Sequence, residues 1–101
     1  MHRYVKISEV VSLLHVAPDF VEQLEAEELI HVKRSSEGEP VLSSDDVERV
    51  RVAQLLVSEL ELNWAGVEVV MHMRESMLAA HRQFHEILDA VVSELRQHPR
   101  R

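Results

Sequence analysis

The chain has no cysteine among its 101 residues, so disulfides, thiolate nucleophiles and thiolate metal ligands are all excluded. Aromatic residues are scarce, with one Trp, one Tyr and two Phe. Basic residues are outnumbered: 11 Lys and Arg stand against 18 Asp and Glu, a formal charge of −7. That balance disfavours nucleic acid and anionic membrane as the main partner, because affinity for phosphate comes from Lys and Arg displacing counterions. No apolar run approaches the roughly 20 residues needed to span a bilayer. A basic stretch followed by an apolar run is also missing at the N-terminus, so no signal peptide and a cytoplasmic location are expected. Only two glycines and three prolines occur, and they punctuate the chain.

What is present is helical periodicity. Ile7, Val10, Val11 and Leu14 recur at helical spacing and predict a short amphipathic helix. Val16-Ala17 forms the turn. Pro18 then suits the first position of a second helix, where its missing N–H is no loss. That segment, from Pro18 to Glu28, holds five acids and no base. Asp19 and Glu22 lie near the helix start, where the dipole favours negative charge. Glu25, Glu27 and Glu28 come too late for that reason.

Val32 and Val41-Leu42 bracket a polar turn from Lys33 to Pro40 and predict two short strands, a small wing. Ser43-Ser44-Asp45-Asp46 supplies capping oxygens for a third helix running to about Glu61, with Val47, Val50, Ala53, Leu56, Val57 and Leu60 on its buried face. Asn63 caps a last helix that runs from Trp64 to about Gln97. Along it, positions 67, 70, 74, 77, 81, 84, 88, 91 and 95 alternate in steps of three and four. Val67, Val70, Met77, Phe84, Leu88, Val91 and Leu95 make seven of the nine apolar; Arg74 and His81 are the polar interruptions. Such a seam is the signature of a coiled coil and predicts a homodimer, with His81 inside the interface. The alternative is that the helix folds back on its own domain.

The residues carry a resemblance. Tyr4-Val5-Lys6-Ile7-Ser8-Glu9-Val10 resembles the opening of MerR-type regulators, as does Glu28-Leu29-Ile30 after a Pro-initiated helix. Ser43-Ser44-Asp45-Asp46-Val47-Glu48-Arg49-Val50 looks like the segment that follows their wing. Leu62-Asn63-Trp64-Ala65-Gly66-Val67 looks like the start of their dimerisation helix. The likeness covers residues 4 to 70. It implies a mainly α fold: a MerR-like winged helix-turn-helix over residues 1–62 with a small β wing. A long C-terminal dimerisation helix over 63–98 and a basic tail at 99–101 would follow.

The sequence also departs from that pattern. A DNA-binding member would carry Arg near Asp19 and Glu22, Tyr near Gln23 and Leu24, and Arg-Arg-Tyr near Pro40-Val41-Leu42. The chain is closer to the CbpM-type chaperone modulators, whose equivalent helix is acidic and whose last helix opens with a motif like Leu62, Trp64 and Gly66. Gly66 to Arg74 and Arg82-Gln83-Phe84 also look like longer-tailed members of that group. The resemblance implies a homodimer that binds the J-domain of a DnaJ- or CbpA-type co-chaperone and inhibits its work with DnaK. The expected partner-binding residues are the acids Asp19, Glu22, Glu25 and Glu39, with Phe20, Val41 and Leu42 as apolar anchors. The alternative is a MerR- or HspR-like DNA-binding transcriptional regulator of stress genes, acting through Lys33, Arg34, Arg49 and Arg51. An excisionase-like architectural factor suffers from the same acidity.

No catalytic constellation is present, so no enzyme activity and no cofactor are expected. Seven histidines invite a metal hypothesis, and His81 with His85 has the i,i+4 spacing that can chelate on one helix face. No HExxH pattern and no evident third carboxylate accompany the pair, so no metal is assigned to it.

Overall fold

The computed structural model describes residues 3–97, and the basic tail at 99–101 lies outside them. The chain divides into two compact units, 1–71 and 72–101. The first unit opens on strand β1 (Tyr4–Lys6), then helices α1 (Ile7–Leu14) and α2 (Pro18–Ala26). Strands β2 (Lys33–Arg34) and β3 (Pro40–Ser43) form the wing, and helix α3 (Ser44–Ser58) follows. Helix α4 (Trp64–Gln97) contributes its first turns, through Met71, to this unit.

The sheet is antiparallel throughout, in the order β1-β3-β2. β1 pairs Val5 with Leu42, and β2 pairs Lys33 with Val41. Three residues of β1 give too short a pattern for a strand to be recognised by period, and it exists because β3 offers it a partner. The wing strand foreseen at Val32 is displaced to Lys33–Arg34. Pro40 occupies the first residue of β3, where a missing N–H is tolerated. In the turn, Ser35 Oγ accepts from the N–H groups of Glu37 and Glu39 at 3.3 and 3.2 Å, and Gly38 takes φ +84°.

The helix signals resolve as follows. Pro18 starts α2. Ser43 Oγ accepts from Asp46 N–H at 3.1 Å and caps α3, and Asn63 Oδ1 accepts from Gly66 N–H at 2.9 Å and caps α4. The core gathers Val10 of α1, Val21 and Leu24 of α2, Leu29, Ile30, Leu42 of β3, Val50, Ala53 and Leu56 of α3, and Val67 and Met71 of α4. Gln54 Nε2 donates to Leu14 O at 3.0 Å, tying α3 to the end of α1. Asp46 is buried with its charge answered: one oxygen accepts from Arg49 at 2.6 Å and the other from His31 N–H at 3.3 Å. Val57 and Leu60 differ from expectation, being 37% and 61% exposed. In the last turn of α3 Leu56 takes the inward position and leaves Val57 at the edge, while α3 stops at Ser58 and Glu61 turns left-handed at φ +52°, so the helical period no longer carries Leu60 inward.

His15 and Glu28 also take left-handed backbone, at φ +55° and +60°, each just beyond a helix. A Cβ in this region costs about 1–2 kcal/mol. Glu28→Gly is therefore expected to stabilise the unit by about 1 kcal/mol after the added freedom of the unfolded chain is subtracted. Glu28→Ala, which drops the charge but keeps the Cβ, should give no such gain. Thermal melts of both variants at equal protein concentration check this.

The second unit holds the remainder of α4. Met73, Met77, Leu78, Phe84, Ile87, Leu88, Val91, Val92 and Leu95 are all 41–69% exposed. So many uncovered apolar side chains on one helix form a larger exposed apolar surface than a globular monomer ordinarily shows.

Candidate functional site

Helix α2 presents its charged side outward. Asp19, Glu22 and Glu25 are all exposed, while Val21 and Leu24 on the opposite side are buried in the core. The helical period fixes this division: 21 and 24 share the buried face, 19 and 22 point away from it, and Glu25, one turn after Val21, stands at its edge. Gln23 Nε2 donates at 3.0 Å to Oε1 of Glu27, the residue that caps the C-terminus of α2.

Beside these acids runs a shallow apolar groove between the start of α1, the start of α2 and the wing. Ile7, Pro18 and Pro40 form its floor; Val11 and Val32 extend it, and Glu22, Glu25 and Glu39 stand at its border together with the cations Lys6 and Arg34. Glu39 is held there by Lys6, whose Nζ lies 3.1 Å from its carboxylate, with both side chains about half exposed. An exposed pair of this kind contributes little to stability and can be exchanged for another cation. The groove can therefore accept an apolar side chain while its border accepts positive charge.

The expected apolar anchors need correction. Leu42 is fully buried, so it cannot meet a partner without unfolding the core. Val41 is 7% exposed and lines a depression with Tyr4, Lys33, Arg34 and Ser35. Strand alternation explains the outcome: Pro40 and Leu42 share one side of β3 and Val41 takes the other. Phe20 is half-buried against the core, its ring 5.7 Å from that of Trp64. Ile7, Pro18 and Pro40 take the place of Val41 and Leu42 on the acidic side, and sequence reasoning missed them. Ile7 reads as a core position by period, and the two prolines read only as punctuation. An apolar residue at a helix start facing a strand-initiating proline was the available signal.

The basic residues are dispersed. Lys33 and Arg34 are exposed on β2, where Lys33 Nζ sits 5.7 Å from the centre of the Tyr4 ring and Arg34 donates to Gly38 O at 3.0 Å. Arg49 is engaged by buried Asp46, and Arg51 by Glu48 through several hydrogen bonds. The Glu48 carboxylate, first by hydrogen bonding and then by charge, raises the already high pKa of the Arg51 guanidinium.

The helical seam also divides. Val67 is fully buried in the core of the first unit and is not free for a second chain, while Val70 packs partly against that core. In the second unit Met77, Phe84, Leu88, Val91 and Leu95 are exposed, as is His81. Among the described residues no three His, Asp or Glu side chains come together to hold a metal ion, and no helix is long and apolar enough to cross a membrane.

A family model described as MerR HTH family regulatory protein matches residues 5–96, nearly the whole chain. No curated protein matches it.

Proposed function

The chain belongs to the MerR helix-turn-helix regulatory family, and from that premise we propose that it is a regulator of the CbpM type. It binds a protein, the J-domain of a DnaJ- or CbpA-type co-chaperone, and inhibits that co-chaperone. The observation that carries this reading is the exposed acidic row Asp19, Glu22 and Glu25 beside the Ile7–Pro18–Pro40 groove. In a winged helix-turn-helix this second helix is the one that enters the major groove. Here it would bring three carboxylates against phosphate. J-domains offer a basic helical face instead, which complements the row and speeds encounter. Charge at the border gives rate and orientation, while affinity needs a buried apolar contact, and the groove supplies a place for one.

The same reading makes the protein a homodimer joined through the second unit, with Met77, His81, Phe84, Leu88, Val91 and Leu95 in the seam. Uncovered apolar side chains are the support for this: covering each half-exposed Leu, Val or Phe is worth on the order of 1 kcal/mol, summed over two chains.

Titration of the full chain with an isolated J-domain tests the proposal. Saturable binding whose association rate falls with added salt is expected, and the absence of saturable binding would sink it. Binding to duplex DNA is expected to be weak and without sequence preference. A defined footprint at physiological salt, with a steep salt dependence, would favour a transcriptional regulator acting through Lys33 and Arg34.

A further inference from the structure

The carboxylates around the acidic groove are not equally free. Both parts of the groove share the floor of Ile7, Pro18 and Pro40. Glu22 and Glu25 border one part together with Arg34, whose guanidinium donates to Gly38 O at 3.0 Å. Lys6 and Glu39 border the other. Among the described residues no ion pair engages Glu22 or Glu25, whereas Lys6 Nζ lies 3.1 Å from the Glu39 carboxylate. We propose that Glu39 is a cation subsite of the docking groove, that Lys6 fills it in the free protein, and that a Lys or Arg of the partner displaces Lys6 on docking. The occupant is a basic amphipathic helix that lays an aliphatic side chain on the floor and carries a cation to either side of it. This rests on the reading of the groove as a docking surface and adds the residue that the partner must displace.

The two members of the pair are held very differently. Glu39 stands on a fixed turn: its N–H donates to Ser35 Oγ at 3.2 Å, and its carbonyl accepts from Ser35 N–H at 2.8 Å. Its carboxylate is therefore in place before a partner arrives, which lowers the ordering cost of binding. Lys6 reaches the same edge because β1, which it ends, pairs with β3 beside Glu39. Its side chain is 53% exposed and makes no capping bond to α1, so the ammonium rests on a flexible stem with one exposed ion pair to lose. Such a pair is worth little in water, and the freed ammonium regains its hydration. An incoming guanidinium can bind the carboxylate through two parallel hydrogen bonds, which an ammonium cannot, so the exchange favours a partner Arg. Lys6 also lines the apolar floor, so one movement of its side chain frees the carboxylate and uncovers the floor. On a helix, side chains three and four positions apart are neighbours, so cations at i and i+7 with leucine at i+3 or i+4 present the required row.

The test is a titration of the full chain with two probes: an isolated J-domain, and a synthetic helical peptide carrying Arg at i and i+7 with leucine at i+3 and i+4. Lys6→Gln is expected to tighten binding of both by about threefold, the size of effect that an exposed ion pair can exert. The gain should shrink as salt is added. Glu39→Gln should weaken binding, and adding Lys6→Gln to it should bring no gain, since the subsite that Lys6 guards is then gone. Lys33→Gln removes the same charge from the depression beside Tyr4, outside the groove, and should tighten binding less. The thermal melt of Lys6→Gln should match that of the native chain. A peptide that binds and is tightened, beside a J-domain that does not bind, would count against the J-domain alone and uphold the subsite. The proposal is overturned if the native chain binds neither probe, if Lys6→Gln leaves binding unchanged or weaker, or if its gain persists with Glu39→Gln.

Discussion

Replacing Asp19 and Glu22 together by lysine is expected to slow association with a J-domain by about tenfold or more at low ionic strength, within the range over which electrostatic steering acts. The two changes shift the charge of the α2 surface by four units at positions that are exposed and outside the core. Salt screens charges separated by more than a Debye length, so the deficit should shrink as ionic strength rises. The fold should survive with a small cost, since a cation at a helix N-terminus loses on the order of 0.3–1 kcal/mol. Homodimer formation should be unchanged, because the seam belongs to the other unit. Stopped-flow mixing at low and high salt reads the effect directly. An unchanged rate and affinity in the double variant would move the binding surface away from α2.

Phe84→Asp with Leu88→Asp should convert the dimer into monomer, weakening association by at least about a hundredfold. Each dimer would carry four carboxylates in an apolar seam, and burying an unpaired charge costs several kcal/mol. Phe84 is 58% and Leu88 41% exposed in the single chain, so no contact within the chain accounts for the change. Helical signal should fall as well, since a lone helix without a covered apolar face is marginal in water. The first unit, with its own core, should keep its cooperative melt. Sedimentation at micromolar concentration checks this, and a native chain that sediments as a monomer would refute the seam.

Local chemistry made much of the fold legible in the sequence. Ser43 and Asn63 each mark a helix start through a bond made within three residues, and Pro18 marks one through its missing N–H; such local causes leave a sequence trace. Features built by distant partners left none. β1 exists only through β3, some forty residues away, and the acidic groove draws Ile7, Pro18 and Pro40 from three elements. Periodicity also has a blind spot. The pattern that places Val67 and Phe84 on one seam fits a neighbouring helix of the same chain as well as a second chain, and only the fold assigns Val67 to the first. Val41 and Leu42 show the same limit in a strand: alternation says they oppose each other, without saying which one faces the core.

The chain has a single tryptophan, and it is in contact with the acidic helix: the Trp64 ring lies 5.7 Å from that of Phe20. Trp64 is also the first residue of α4. Its half-buried indole thus senses small shifts of α2 against that helix, and no other indole contributes to the emission. The molecule carries its own optical probe packed against the helix that bears the acidic row, and a docking event that shifts this helix can be followed by intrinsic fluorescence without attaching a dye.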